Sequence, residues 1–120
     1  LVMFYPFAFS GICTGEICEI NEDLPKFQND DVEMISISCD PHHALRAFAE
    51  KENIKTILLS DFWPHGALAK EYGVFLEDLG FANRGTFLID KSGIVRWKTI
   101  TSPGEARVSE EYQKALAAIS

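Results

Sequence analysis

Leu1-Val2-Met3-Phe4-Tyr5-Pro6-Phe7-Ala8-Phe9-Ser10-Gly11-Ile12-Cys13 opens the chain as an apolar run, a proline and a loop that ends in a cysteine. The first five residues are continuously apolar or aromatic, the pattern of a strand covered on both faces, and Pro6 ends it. After a short loop the spacing of Ile17, Ile20 and Leu24 predicts a helix from about Cys13 to Phe27. A covered strand feeding a helix is how a parallel α/β sheet begins. The chain has no initiator Met and starts inside this strand, so it reads as one whose earlier residues are missing.

Val32 to Ser38 alternates and is rich in strand formers, a second strand. Asp40-Pro41 has cap-and-first-turn chemistry for a helix to about Glu52. Thr56 to Leu59 is a short strand, and Ser60 or Asp61 could cap a helix reaching Tyr72, with Gly73 at its stop. Thr86-Phe87-Leu88-Ile89 and Ile94-Val95-Arg96-Trp97 flank Asp90-Lys91-Ser92-Gly93, a hairpin. Ser109 to Ile119 closes the chain as a helix with Tyr112, Leu116 and Ile119 on one face. The order β-α-β-α-β-α-β-β-α implies one α/β domain over residues 1–120. It is a thioredoxin-like three-layer sandwich, a mixed central sheet flanked by helices.

Composition narrows the function classes. The 120 residues are 47% hydrophobic and 24% charged, ordinary for a globular domain. The net charge of −7 works against nucleic acid and anionic lipid surfaces, and no apolar run approaches the ~20 residues a bilayer needs. Three cysteines are too few for a disulfide scaffold and suit a reducing, cytoplasmic compartment.

Cys13 falls where the first strand meets the first helix, and ligands of parallel α/β sheets collect at such strand ends. Unpaired N–H groups and the helix dipole there favour a thiolate. Ser10 is placed to hydrogen-bond the sulfur or an oxygen bound to it, and Pro6 to shield the site. A thiolate near neutral pH needs a fixed cation. Arg84, at the start of an interior strand, needs a partner in turn; Glu16 or the Cys13 thiolate could be that partner. Structural roles for Cys13, Arg84 and Ser10 fit the same pattern.

These residues carry a resemblance. Phe4 to Glu16 resembles the peroxiredoxin signature, a Pro, three residues, Thr or Ser, two residues, then the peroxidatic Cys. Asn83-Arg84-Gly85-Thr86-Phe87-Leu88-Ile89-Asp90 resembles the segment that carries that family's active-site arginine. Leu59 to Ala67, Tyr72-Gly73-Val74-Phe75 and Pro103-Gly104-Glu105-Ala106-Arg107 are similar to the alkyl hydroperoxide reductase E (AhpE) branch. The resemblance implies a thiol-dependent peroxidase acting on hydrogen peroxide, alkyl hydroperoxides or peroxynitrite, with no metal or cofactor. It implies Cys13 as the nucleophile, and Ser10 and Arg84 as groups that position the peroxide. Pro6 would close the pocket, Glu16 would orient Arg84, and Arg107 matches an outer arginine. It further implies a homodimer and an external thiol reductant, mycothiol with a mycoredoxin or thioredoxin. Two departures stand out: Ser10 replaces the usual Thr, and the family's N-terminal hairpin is absent from this sequence.

Cys18 adds a question. Its spacing from Cys13 resembles the bacterioferritin-comigratory (PrxQ) branch, in which the later Cys resolves the sulfenic acid. On an intact helix the two residues lie ~7.5 Å apart along the axis and ~140° around it, too far for a disulfide unless the first turns unwind. Cys18 is therefore either a resolving thiol or a packed one. Cys39, at a strand end, reads as a buried thiol. His42, His43 and His65 lack metal-ligand spacing and read as solvated or capping groups, while Phe62, Trp63 and Phe75 read as core or interface aromatics. A thioredoxin-type disulfide oxidoreductase would need Cys-x-x-Cys, which is lacking here. A non-catalytic module on the same fold would not need Ser10, Cys13 and Arg84 together.

Overall fold

The computed structural model describes residues 1–119, with only the backbone described at Ile119, so the place of that side chain on the last helix lies outside the described residues. The elements are β1 (Val2–Phe4), α1 (Gly11–Glu22), β2 (Ile35–Ser38), α2 (His42–Glu52), β3 (Ile57–Ser60), α3 (Ala67–Glu71), β4 (Phe75–Leu76), β5 (Phe81–Ala82), β6 (Arg84–Ile89), β7 (Val95–Thr101) and α4 (Ser109–Ile119). Five strands form one mixed sheet in the order β3-β2-β1-β6-β7. The three strands joined through helices pair in parallel, as crossover connections through a helix allow. The closing hairpin β6–β7 adds to β1 antiparallel.

Alternation along β1 divides the core between the two faces of the sheet. Leu1, Met3 and Tyr5 pack with Ile17 and Ile20 of α1, Leu45 and Phe48 of α2, and Tyr112 of α4. Phe4 turns the other way and joins Ile37, Ala69, Val74 and Phe87. The sheet is thus covered on both sides, the three-layer arrangement expected from the order of elements.

Local chemistry moves several boundaries. The first helix begins at Gly11, two residues earlier than its apolar spacing shows. It stops at Glu22 and not at Phe27, because Pro25 cannot donate an N–H to a continuing α-helix; Leu24–Lys26 is a 3₁₀ turn instead. The third helix is confined to Ala67–Glu71: Pro64 disfavours helical backbone at Trp63 before it, and Gly66 is left-handed. Asp61 still caps it from a distance, its carboxylate accepting the N–H groups of Leu68 and Ala69 at 3.0 and 2.9 Å. Gly66 enters this helix at φ +72°, where a Cβ would lie 2.2 Å from the Phe75 ring. The β4–β5 hairpin was not foreseen; two residues per strand give no periodicity to read.

Candidate functional site

Loop Tyr5–Ser10 joins the C-terminal end of β1 to α1. Tyr5 N–H extends the parallel pairing to Ile37 C=O at 3.0 Å. Phe9 then adopts φ +69°, a left-handed conformation that costs a non-glycine residue about 1–2 kcal/mol. Aromatic anchors hold the loop on either side of it: the Phe7 ring meets Phe81 with centroids 4.9 Å apart, and Phe9 meets Phe48 at 5.1 Å. Thr14 N–H makes the first intrahelical bond, to Ser10 C=O at 2.9 Å. Cys13 therefore occupies the third helical position, where backbone N–H groups have no partner within the helix. Its side chain is fully buried.

Arg84, the first residue of β6, brings its guanidinium to this spot. Its Nη1 lies 3.2 Å from Cys13 Sγ and 2.7 Å from Glu16 Oε1, and its Nε donates to Pro103 C=O at 2.8 Å. The sequence left open whether Glu16 or Cys13 partners Arg84; one nitrogen contacts both. Glu16 follows Cys13 by three residues and so shares its helix face. Arg107 grips the same carboxylate: its Nε and backbone N–H donate to Oε2 at 2.9 and 2.7 Å, and its Nη2 to Oε1 at 2.9 Å. Arg107 Nη1 also donates to Phe4 C=O at 2.6 Å and Thr86 Oγ1 at 3.1 Å. A carboxylate between two guanidiniums, all three side chains buried, is fixed in position as few surface groups are. Burial alone would push the Glu16 carboxyl up. The hydrogen bonds and charge of Arg107, with the charge of Arg84, outweigh that and hold it below its usual range.

The remaining site residues are placed as follows. Pro6 is buried at the start of the loop. Ser10 is partly exposed and caps α1 by position, but its hydroxyl donates to Phe7 C=O at 2.8 Å, tightening the loop and not reaching the sulfur. Cys18 lies on the same unbroken helix as Cys13 and faces α2, with Sγ 3.7 Å from Glu52 Oε2. Burial, then Glu52 and Glu22, push its thiol up. Cys39 is buried just past β2, and burial with nearby Asp61 and Asp40 pushes it up to about 11, against a smaller opposing hydrogen bond from the Ala82 backbone. Both are protonated, weakly nucleophilic thiols at neutral pH, and all three cysteines are free. His42 and His43 are exposed, their ring centroids 4.0 Å apart with the planes tilted by 39°. His65 contacts Gly80 C=O through Nε2 at 2.6 Å. Among the described residues no cluster of His, Cys, Asp and Glu could hold a metal.

Residues 1–98 match the AhpC/TSA family. The chain belongs to that family. It is similar to alkyl hydroperoxide reductase E of Mycobacterium tuberculosis, 46% identical over the whole of this chain and 78% of that protein. The crystal structure of Enterococcus faecalis AhpC superposes with a TM-score of 0.90 at 33% identity, over 98% of this chain and 72% of that one. Reduced 2-Cys peroxiredoxin of Plasmodium vivax gives 0.90 at 30% identity, over 98% of this chain and 63% of that one. This AhpC/TSA protein is accordingly a peroxiredoxin with the thioredoxin-like fold, a thiol-dependent peroxidase that takes a peroxide and a thiol reductant. Sequence reasoning missed two groups at its site, Asp40 and the Pro103 carbonyl. The place of Asp40 before Pro41 suggests a helix start, whereas its carboxylate accepts Ala8 N–H in the loop that leads to Cys13.

Proposed function

We propose that Cys13 is the peroxidatic nucleophile of this enzyme, with Ser10, Arg84 and Pro6 forming its peroxide site and Glu16 and Arg107 supporting Arg84. The observation that carries this reading is the Arg84 guanidinium 3.2 Å from Cys13 Sγ at the start of α1. The thiolate attacks the terminal oxygen of a hydroperoxide. An S–O bond forms, the O–O bond breaks, and the alkoxide or hydroxide leaves with the electron pair and takes a proton from water. Cys13 is oxidised to a sulfenic acid. Arg84 and the N–H groups of the first helical turn face the place where charge develops on the leaving oxygen. Substrates of this class are hydrogen peroxide, alkyl hydroperoxides and peroxynitrite.

An external thiol, from mycothiol with a mycoredoxin or from thioredoxin, then condenses with the sulfenic acid, releasing water. A second thiol reduces the mixed disulfide. Cys18 is the weaker candidate for this step, because it is turned toward Glu52 and joined to Cys13 through unbroken helix. The cytoplasm, where free thiols persist, suits three unpaired cysteines. A homodimer through Phe62 and Trp63 suits aromatic rings exposed to 49% and 83%.

The experiment is intact mass after one equivalent of hydrogen peroxide, with and without a sulfenic-acid trap. A gain of about 16 Da, trapped at Cys13, is expected. A loss of about 2 Da mapped to Cys13–Cys18 would replace the external thiol by an internal one, and no change would end the Cys13 reading. Arg84→Ala is expected to slow sulfenic acid formation about 10²–10³-fold in stopped-flow. An unchanged rate would remove Arg84 from the mechanism.

A further inference from the structure

The catalytic loop is held from outside by a carboxylate that neither contacts Cys13 nor belongs to the Glu16 cluster. Ala8 N–H, in the middle of the loop, donates to Asp40 Oδ2 at 2.8 Å. The same oxygen accepts the Ser38 hydroxyl at 2.7 Å, and the Asp40 backbone carbonyl accepts the Ser60 hydroxyl at 2.6 Å. Ser38 ends β2 and Ser60 ends β3, so Asp40 ties the exits of two strands to the loop that leaves a third. The residue after Ala8 is Phe9, whose φ of +69° must be imposed by its surroundings. The residue after that is Ser10, whose carbonyl starts α1.

We propose that Asp40 is a positioning residue for peroxide reduction. By fixing Ala8 N–H it imposes the turn at Phe9, and so sets how Ser10 and the first turn of α1 surround a hydroperoxide at Cys13. The proposal rests on Cys13 as the nucleophile. The side chain acts as an acceptor: one oxygen takes two hydrogen bonds, from Ala8 N–H and the Ser38 hydroxyl. Removing that acceptor orphans a backbone N–H in the part of the chain that carries the strain. Phe7 and Phe9 keep their ring contacts, so the loop stays docked but loses its set shape.

The test compares two reactions of Cys13 in the full chain: oxidation by hydrogen peroxide, and alkylation by iodoacetamide followed at Cys13 by peptide mass. Alkylation needs only that the reagent reach the thiolate, whereas peroxide also needs the surrounding groups in place. Asp40→Ala is expected to slow the peroxide reaction about 10- to 100-fold while alkylation stays close to wild type. Asp40→Asn, whose side-chain oxygen can accept the same two bonds, is expected to restore the peroxide rate. An Asp40→Ala variant with the wild-type peroxide rate overturns the proposal. So does a fall in both reactions together that Asp40→Asn does not rescue. Should Asp40→Ala not fold, Ser60→Ala decides: a selective loss toward peroxide supports the proposal, and an unchanged ratio of the two rates overturns it. A wild-type protein that shows no preference for peroxide over iodoacetamide would refute the Cys13 reading itself, a result distinct from either.

Discussion

Cys13→Ser is expected to reduce peroxide consumption to the rate of the uncatalysed thiol mixture, while Cys18→Ser and Cys39→Ser retain most of it. A serine hydroxyl is not ionised near neutral pH, and its oxygen is a far poorer nucleophile toward an O–O bond than a thiolate. The change is one atom in a fully buried side chain that already sits against a donor, Arg84 Nη1. A hydroxyl can accept that hydrogen bond, so circular dichroism and the thermal transition should stay close to wild type. The two other thiols are poor replacements: Cys39 is pushed up to about 11 by burial and nearby carboxylates, and Cys18 is pushed up by burial and by Glu52 beside it. Peroxide removal is followed by consumption of hydrogen peroxide in the presence of a thiol reductant. A Cys13→Ser variant with wild-type turnover would sink the assignment of the nucleophile.

How far the sequence carried this reading depended on where the partners lie along the chain. The Pro6-to-Cys13 loop and the Cys13–Glu16 pair are local, so a strand end, a helix start and a three-residue spacing were enough to place them together. Arg84 was found by a cost: a guanidinium entering an apolar strand must have a partner. The face on which Arg107 falls was not legible in this way. It meets Glu16 across 91 positions, and only the packed tertiary structure brings the stretch after Pro103 under α1. Asp40 escaped for a similar reason, since its position before Pro41 fits a helix start equally well and its bond to Ala8 crosses 32 positions. The Ser10 hydroxyl is the opposite case: its spacing suits a contact with the sulfur or with an oxygen bound to it, and in the structure it donates to Phe7 C=O. Ser60 or Asp61 as a cap places the start of the third helix too early, because both are plausible caps by type and the backbone around Pro64 and Gly66 delays the helix to Ala67.

Glu16→Ala is expected to damage stability and catalysis together, because one carboxylate neutralises two buried guanidiniums. Arg84 and Arg107 are 3% and 1% exposed at their side chains. Removing Glu16 would leave both without their counter-charge, a change that costs about 3–5 kcal/mol when a buried pair is broken from one side. A gentler variant separates charge from shape. In Glu16→Gln the amide NH₂ must replace one carboxylate oxygen, yet both oxygens accept from arginine donors. One side of the cluster then meets donor with donor, Arg84 shifts, and the rate of Cys13 oxidation should fall about 10²-fold for a displacement near 1 Å. The pH dependence follows from the same cluster. The folded-state carboxyl lies below its unfolded value, so its contribution is full above an unfolded pKa of about 4.3 and drains as pH falls toward the folded-state value. Wild-type protein should therefore lose stability steeply in urea titrations taken below about pH 4.3, and Glu16→Gln should lose much less over the same range. Parallel acid curves for the two proteins would mean that Glu16 is not the ionised bridge between Arg84 and Arg107. The orientation of Arg84 toward Cys13 would then have to come from Pro103 C=O alone, a single neutral acceptor at 2.8 Å, which fixes one nitrogen of the guanidinium and leaves the nitrogen facing the sulfur unconstrained.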